Sequence, residues 1–269
     1  MLGGAVDRIP KISEALELFW DLSKPDVREK TADELRRWRN PRLKAFKNFI
    51  NVVGDKSVSK LTADDMLNFR EWLFERIEGG LSVSSANKDL IHVSSVLKKV
   101  NKMKRLNLDL ALSGYAFQKE KLRKIRPPFS KEFIQTRLLS SDALRGLNTQ
   151  ARCILLGMVN TGYRLGEGSA LTADTIRLDH NIPHIKIQKT EKKSLKTENA
   201  ERIIPLAGIS LEAFRICPDG FPRYAGKPGL SATINKFLRE NDLLETSGHT
   251  VYCLRHSFED RLLDAGVGV

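Results

Sequence analysis

Acidic residues are scarce in this sequence relative to basic ones. Thirty-three Asp and Glu stand against 45 Lys and Arg, which leaves +12 at neutral pH over 269 residues. Such an imbalance speaks about partners, not fold, and it favours polyanions. Cysteine is equally sparse: Cys153, Cys217 and Cys253 are the only three, without metal-type spacing. An odd, scattered set excludes a disulfide-stapled scaffold and reads as reduced, packed thiols, with a cysteine nucleophile as the minor alternative. Long hydrophobic runs are missing as well. No stretch approaches the ~20 apolar residues that cross a bilayer, and the N-terminus lacks a signal-peptide pattern. A cytoplasmic protein without a membrane partner is therefore expected. The phosphate cradle G-x-x-x-x-G-K is absent too, which weighs against an enzyme acting on a small phosphate ester.

What remains is ordinary globular composition, 41% hydrophobic and 29% charged, with enough chain for one or two domains. The basic excess is concentrated. From Lys98 to Lys131 there are eleven Lys or Arg against two acids, a local net of +9. Lys98, Lys99, Lys102, Lys104, Arg105, Lys121, Arg123, Lys124 and Arg126 are candidates for a strap against a nucleic-acid backbone. A solvated basic hinge is the plainer reading.

The fold class read from periodicity is mainly α with a small antiparallel β-sheet: an N-terminal helical bundle followed by an α+β domain. Residues 1–10 carry no pattern and are expected to be disordered. Residues 11–116 read as four or five helices. Ile12, Leu16 and Phe19 mark the first, which Lys24-Pro25 ends. Thr31 with Glu34, and Thr62 with Asp65, form capping boxes. Pro41 divides one long pattern into two helices, Gly79-Gly80 stops another, and Ser84 or Ser85 opens the last. Residues 117–128 form a basic linker stiffened by Pro127-Pro128. In 129–269, Ser130 opens a short helix, Ser141 or Asp142 caps another, and 151–160 is a buried helix. Strands follow at 175–178, 184–188 and 202–206, with a lysine-rich loop between the last two. Helices at 211–216, 231–241 and within 247–263 complete the pattern.

Two arginines stand in apolar frames about ninety residues apart: Arg164 in N-T-G-Y-R-L-G-E-G-S-A-L and Arg255 in Y-C-L-R-H. A buried guanidinium needs an anionic partner or a full set of acceptors. Glu167 can serve Arg164 internally. Arg255 has no acid closer in sequence than Glu259. The pair can therefore converge on an external anion, and phosphate matches the guanidinium fork.

T-G-Y-R-L-G-E-G-S-A-L resembles the first signature of the tyrosine recombinase (phage integrase) family. Y-C-L-R-H-S-F, followed by R-L-L-D-A-G-V, resembles the second. The resemblance covers about Phe129 onward well and the preceding helices more loosely. It implies an N-terminal core-binding domain that closes over double-stranded DNA, then a catalytic domain. In the family, a tyrosine attacks the scissile phosphate and forms a 3′-phosphotyrosyl link, without metal or cofactor. By position, Arg164 and Arg255 are the catalytic arginines, Glu167 a supporting acid, and His256 a neighbour that packs or caps. The hairpin lysine that protonates the leaving oxygen is best matched by Lys196, with Lys189, Lys192 and Lys193 as rivals. Tyr252 stands where the family usually has histidine. A phenol ordinarily titrates near ~10 and is a poor base at neutral pH, so Tyr252 reads as a substitute hydrogen-bonding residue.

The family's nucleophile lies a few dozen residues after L-R-H, and none of Tyr115, Tyr163, Tyr224 and Tyr252 occupies that place. The expectation is thus a catalytic domain incomplete at its C-terminus, which binds DNA and does not cleave it. The resemblance also implies nucleoid association and a homotetramer on DNA when complete; without the segment after the nucleophile, which in the family docks on a neighbouring subunit, a monomer in solution is expected. The alternatives are a non-catalytic remnant that occupies sites or modulates a full-length copy, a type IB topoisomerase, and an enzyme acting on a small phosphate ester.

Overall fold

The computed structural model describes residues 8–118, 127–188 and 201–267. By contact the chain divides into two compact units, Met1–Arg123 and Lys124–Val269. Among the described residues no helix is long and apolar enough to cross a membrane.

The first unit is built on local capping signals. Helix α1 (Ile12–Leu22) buries Ile12, Ala15, Leu16, Phe19 and Trp20. Arg8–Pro10, in a stretch without pattern, carries the Pro10 carbonyl that accepts from Val58 N at 2.9 Å. After the short α2 (Lys24–Val27), Thr31 and Glu34 form the expected box: Glu34 N donates to Thr31 Oγ1 at 3.3 Å and Thr31 N to Glu34 Oε2 at 3.1 Å. The helix so started, α3, runs unbroken over Ala32–Val53 with Pro41 inside it. The expected division at Pro41 is therefore wrong. Packing on both sides outweighs the lost N–H. Trp38 stacks on Phe19 at 5.6 Å and Arg42 donates to the Trp38 carbonyl at 2.6 Å, while Ala45, Phe46 and Phe49 are buried beyond the proline.

Helix α4 (Ala63–Glu78) starts from the Thr62–Asp65 box and buries Met66, Phe69 and Leu73. Helix α5 (Val83–Met103) is capped by Ser82, earlier than Ser84 or Ser85, because it is the Ser82 hydroxyl that accepts from Ser85 N. The chain then doubles back along α5 without helix. Asn101 holds Leu108, Ser94 holds the Leu112 carbonyl, and Asn87 exchanges two bonds with the Phe117 backbone at 2.8 and 2.9 Å.

The second unit places a three-stranded antiparallel sheet beside helices. Ser130 caps α6 (Lys131–Phe133), which passes into a π-helical turn over Ile134–Leu138. The helix expected after Ser141 or Asp142 is absent. Residues 140–147 make successive turns instead, and Gly146 is packed against the Phe237 ring, leaving no room for a Cβ. Helix α7 (Thr149–Val159), capped by Asn148, is the centre of the core, burying Ile154, Leu155, Met158 and Val159. The short α8 (Leu165–Gly168) follows. Strands β1 (Ile176–Arg177), β2 (His184–Ile187) and β3 (Arg202–Pro205) are ordered β1-β2-β3, with Ile176 opposite Ile185 and Ile187 opposite Arg202. Helices α9 (Gly208–Ile216), α10 (Leu230–Glu240) and α11 (Cys253–Asp264) complete the unit. Helix α10 begins at Gly229, whose φ of 107° no other residue type adopts easily, so Ser231 falls inside the first turn instead of capping it. The fold class is as expected: mainly α, with one small antiparallel sheet.

Tyr163 is the largest fully buried side chain of this core, and its hydroxyl donates to the Ile154 carbonyl at 2.7 Å. Gly157 and Gly168 face its ring and hydroxyl so closely that a Cβ on either would collide. Because a buried ring has nowhere to retreat, Gly168→Ala is expected to cost roughly 1–3 kcal/mol. The check is the urea midpoint of the second unit's unfolding transition, which should fall with an unchanged slope.

Candidate phosphate-binding site

The site begins where α7 ends. Asn160 is held by Ser210 Oγ at its N–H, at 3.0 Å, and by the Ala207 carbonyl at its side chain, at 3.2 Å. Thr161 Oγ1 donates back to the Gly157 carbonyl at 2.6 Å. Gly162 then turns the chain with φ +58°, and its bare Cα is pressed by the Phe258 ring. These constraints deliver Arg164 to the start of α8.

Arg164 and Arg255 are brought together there. Arg255 Nη1 donates to the Gly162 carbonyl at 2.7 Å, two residues before Arg164 in the chain. Helix α11 is bolted to the same turn again one and a half turns further on. Arg261 donates to Asn160 Oδ1 at 3.2 Å and to the Val159 carbonyl, with Phe258 against Gly162 between the two arginines. Burial lowers the Arg261 guanidinium below its ordinary value. Its position over the last carbonyls of α7 places a cation at the negative end of that helix.

Glu167 is the hub. Its side chain is 3% exposed and takes three donors: Arg164 N at 2.9 Å, Arg164 Nη1 at 2.7 Å and Arg202 Nη2 at 2.7 Å. Burial alone raises a carboxyl, but the bonds from Arg202 and Arg164 outweigh it and hold Glu167 down at about 2. The internal ion pair weighed against an external anion is thus present, but it engages only one edge of Arg164, whose side chain remains 41% exposed. The Arg164 guanidinium is raised, chiefly by its Glu167 bond, against some desolvation; Tyr252 and Glu259 add to the shift. Both of those lie on or at the head of α11, so they share the Arg164 locality. Arg255 Nη2 meets Glu259 Oε1 at 2.8 Å, His256 Nδ1 lies 3.3 Å from Glu259 Oε2, and the Tyr252 and His256 rings meet edge-on at 5.2 Å.

Arg164, Glu167, Tyr252, Arg255 and His256 therefore form one cluster. Lys196 and its rivals Lys189, Lys192 and Lys193 lie outside the described residues, as do Lys121, Arg123, Lys124 and Arg126. In the first unit, Lys102, Lys104 and Arg105 are exposed, and Lys98 reaches Ser113 Oγ at 2.6 Å. Lys99 is committed internally to Asp26 at 2.5 Å, to Ser23, and to the Phe19 ring. Two residues of the cluster, Arg202 and Arg261, were not singled out from sequence, and Glu259 was noted only as the nearest acid to Arg255. For Arg202 a signal existed, since strand alternation puts it on the inward side with Ile204. All three cysteines are free and buried, and burial with a bond from Cys217 pushes the Cys153 thiol up to about 12, which suits packing and not attack. Among the described residues no group of three or more His, Cys, Asp or Glu is placed to hold a metal ion.

A carboxyl lowered in the folded state stabilises above its unfolded pKa and loses that contribution as pH falls through the folded value. For Glu167, from the ordinary 4.5 to about 2, the contribution is about 3 kcal/mol at neutral pH. Glu167→Gln should therefore unfold more easily than the parent at pH 7, and the gap should close progressively between pH 5 and pH 2. Thermal denaturation across that range measures it.

No protein-family model and no curated protein matches this sequence. Solved structures do. The Tn1549 transposon integrase in complex with circular-intermediate DNA is 16% identical with a TM-score of 0.61, covering 94% of this chain and 88% of that one. A lambda integrase tetramer bound to a Holliday junction is 16% identical with a TM-score of 0.66, covering 97% and 72%. A lambda integrase dimer bound to a core site gives 14%, 0.63, 95% and 71%. At this level of identity the likeness is one of fold, and the fold of this chain is that of the integrases.

Proposed function

We propose that the protein is a DNA-binding tyrosine recombinase, in which Arg164 and Arg255 grip the two non-bridging oxygens of a scissile phosphodiester. The observation that carries the reading is the Arg255–Gly162 bond, which sets the second arginine on the turn that presents the first. Arg164 keeps part of its side chain exposed while one nitrogen is held by Glu167, and donors fixed in advance favour the extra charge of a pentavalent phosphorane. Glu167 keeps Arg164 from rotating, as a carboxylate does for a working cation. Tyr252 supplies a hydroxyl donor to a phosphate oxygen. Lys196, on the β2–β3 connection, is the general acid for the departing 5′-oxygen, with Lys189, Lys192 and Lys193 as rivals.

The exposed cations Lys98, Lys102, Lys104 and Arg105, with Lys121, Arg123, Lys124 and Arg126, form the strap along the duplex. The integrases of like fold were solved on DNA, one as a tetramer. Carried over, this gives a cytoplasmic, nucleoid-associated protein that is tetrameric on its DNA site when full length.

A second reading, a non-catalytic DNA-binding form that occupies sites or modulates a full-length recombinase, is favoured by the tyrosines. Tyr163 is fully buried with its hydroxyl donated to Ile154, and Tyr224 is buried and accepts from Asn148 at 2.7 Å. Tyr115 belongs to the first unit, and Tyr252 fills the histidine place. The 269-residue polypeptide is therefore expected to bind duplex DNA and to form no covalent adduct on a nicked suicide substrate. Affinity should fall by about a thousandfold or more between 50 and 200 mM salt if six or more phosphates are neutralised. Arg164→Ala and Arg255→Ala should each weaken binding roughly tenfold. Gel shift across a salt series, with denaturing gels for the adduct, tests both statements. A covalent adduct would sink the second reading, and salt-independent binding the first.

A further inference from the structure

We propose that Glu259 holds the place of the phosphate at Arg255: its carboxylate occupies the guanidinium edge that a phosphodiester takes, and the pocket loads by displacing it. The inference rests on the phosphodiester reading above and adds a regulating residue to it.

Tyr252, Arg255, His256 and Glu259 follow one another at helical spacing, three, four and seven residues on, so they line one stripe of α11. The two nitrogens of Arg255 have different partners. Nη1 is spent on the Gly162 carbonyl, a backbone group that does not move without the turn. Nη2 is met by Glu259 Oε1 at 2.8 Å. The carboxylate's second oxygen, Oε2, lies 3.3 Å from His256 Nδ1. An anion is therefore already present at the working edge of the second arginine, and Arg164 feels its charge as well.

The two acids of the pocket differ in a way that separates support from substitution. Glu167 is 3% exposed and fixed by three donors from two elements, so it is built in. Glu259 is 27% exposed, and its ion pairs among the described residues are with Arg255 and His256, one turn away on its own helix. A rotation about its side-chain torsions frees it into solvent without disturbing the core. A rigid, buried acid orients a cation. A half-exposed acid on a flexible stem neutralises the cation until a better anion arrives.

Charge balance gives the consequence. Among the described residues, Arg164, Arg202 and Arg255 pair with Glu167 and Glu259, a net of +1, and with Glu259 turned away the net is +2. Stray phosphate must compete with a tethered carboxylate at high effective concentration. A phosphodiester delivered by a duplex that is held elsewhere on the protein does so with the help of those other contacts.

The test uses the full chain and a labelled duplex, with fluorescence anisotropy at fixed salt. Glu259→Gln should bind about five times tighter than the parent. Glu240→Gln, which removes an acid that among the described residues pairs with Lys236 on α10, corrects for the general loss of a negative charge and should have less effect. In an Arg255→Ala background, Glu259→Gln should gain nothing beyond the Glu240→Gln control. Glu167→Gln should move in the opposite direction and weaken binding. If Glu259→Gln weakens binding, or matches Glu240→Gln, Glu259 is a support or a bystander and the proposal is overturned. If the parent does not bind duplex at all, the phosphodiester reading fails and this inference falls with it.

Discussion

One hydrogen bond, from Arg255 to the carbonyl of Gly162, joins segments 93 residues apart. The donor is charged and the acceptor is a backbone group in a tight turn, so the bond is short and directional. It works only because the turn is itself immobile. Gly162 adopts a positive φ, which frees its carbonyl to point at α11, and it lacks the Cβ that would strike Phe258. Arg261 adds a second tie to the end of α7, so rotation of α11 against the turn breaks two attachments at once. The relative position of Arg164 and Arg255 is thus set by backbone, and not by two long side chains finding each other.

The sheet contributes through Arg202. Strand β3 lies against β2 with Arg202 opposite Ile187, and its inward alternation aims the guanidinium at Glu167. A carboxylate buried alone would be protonated or expelled. With Arg164 on one side and Arg202 on the other it stays ionised, and the strand that returns from the lysine-rich connection is tied to the first arginine through it. The small sheet, marginal by area, matters because one of its side chains reaches the hub.

What was legible in the sequence follows from distance along the chain. The Thr31–Glu34 and Thr62–Asp65 boxes were readable because both partners sit within one turn. The three strands were readable because alternation is local. The two arginines were legible through motif resemblance, and Glu167 through its spacing from Arg164. Pro41 was misread because what holds α3 straight is Phe19 on another helix. The turns at 140–147 were misread because Phe237, far downstream, takes the space over Gly146. Arg202 and Arg261 escaped notice because their partners, Glu167 and Asn160, lie 35 and 101 residues away. Glu259 was visible as the nearest acid to Arg255, but its capture of that arginine depends on both side chains lying on one partly buried stripe of α11.

The anion site proposed here contains two carboxylates, and their presence needs a physical account. Guanidiniums gathered without counter-charge repel, and partial burial makes that repulsion larger than in water. One buried acid offsets part of it and fixes geometry, but leaves the second arginine with an unsatisfied edge. A protein can leave that edge to water, or it can cover it with an acid that departs on demand. The first choice binds any phosphate that diffuses in. The second raises the threshold, because the entering anion gains only the difference between its own interaction and the one it replaces. The rest of the interface must then contribute the binding, and the pocket contributes selectivity for a phosphate presented in the right place. On the proposal made here, Glu167, sealed in the core, and Glu259, partly exposed, divide those two tasks between them.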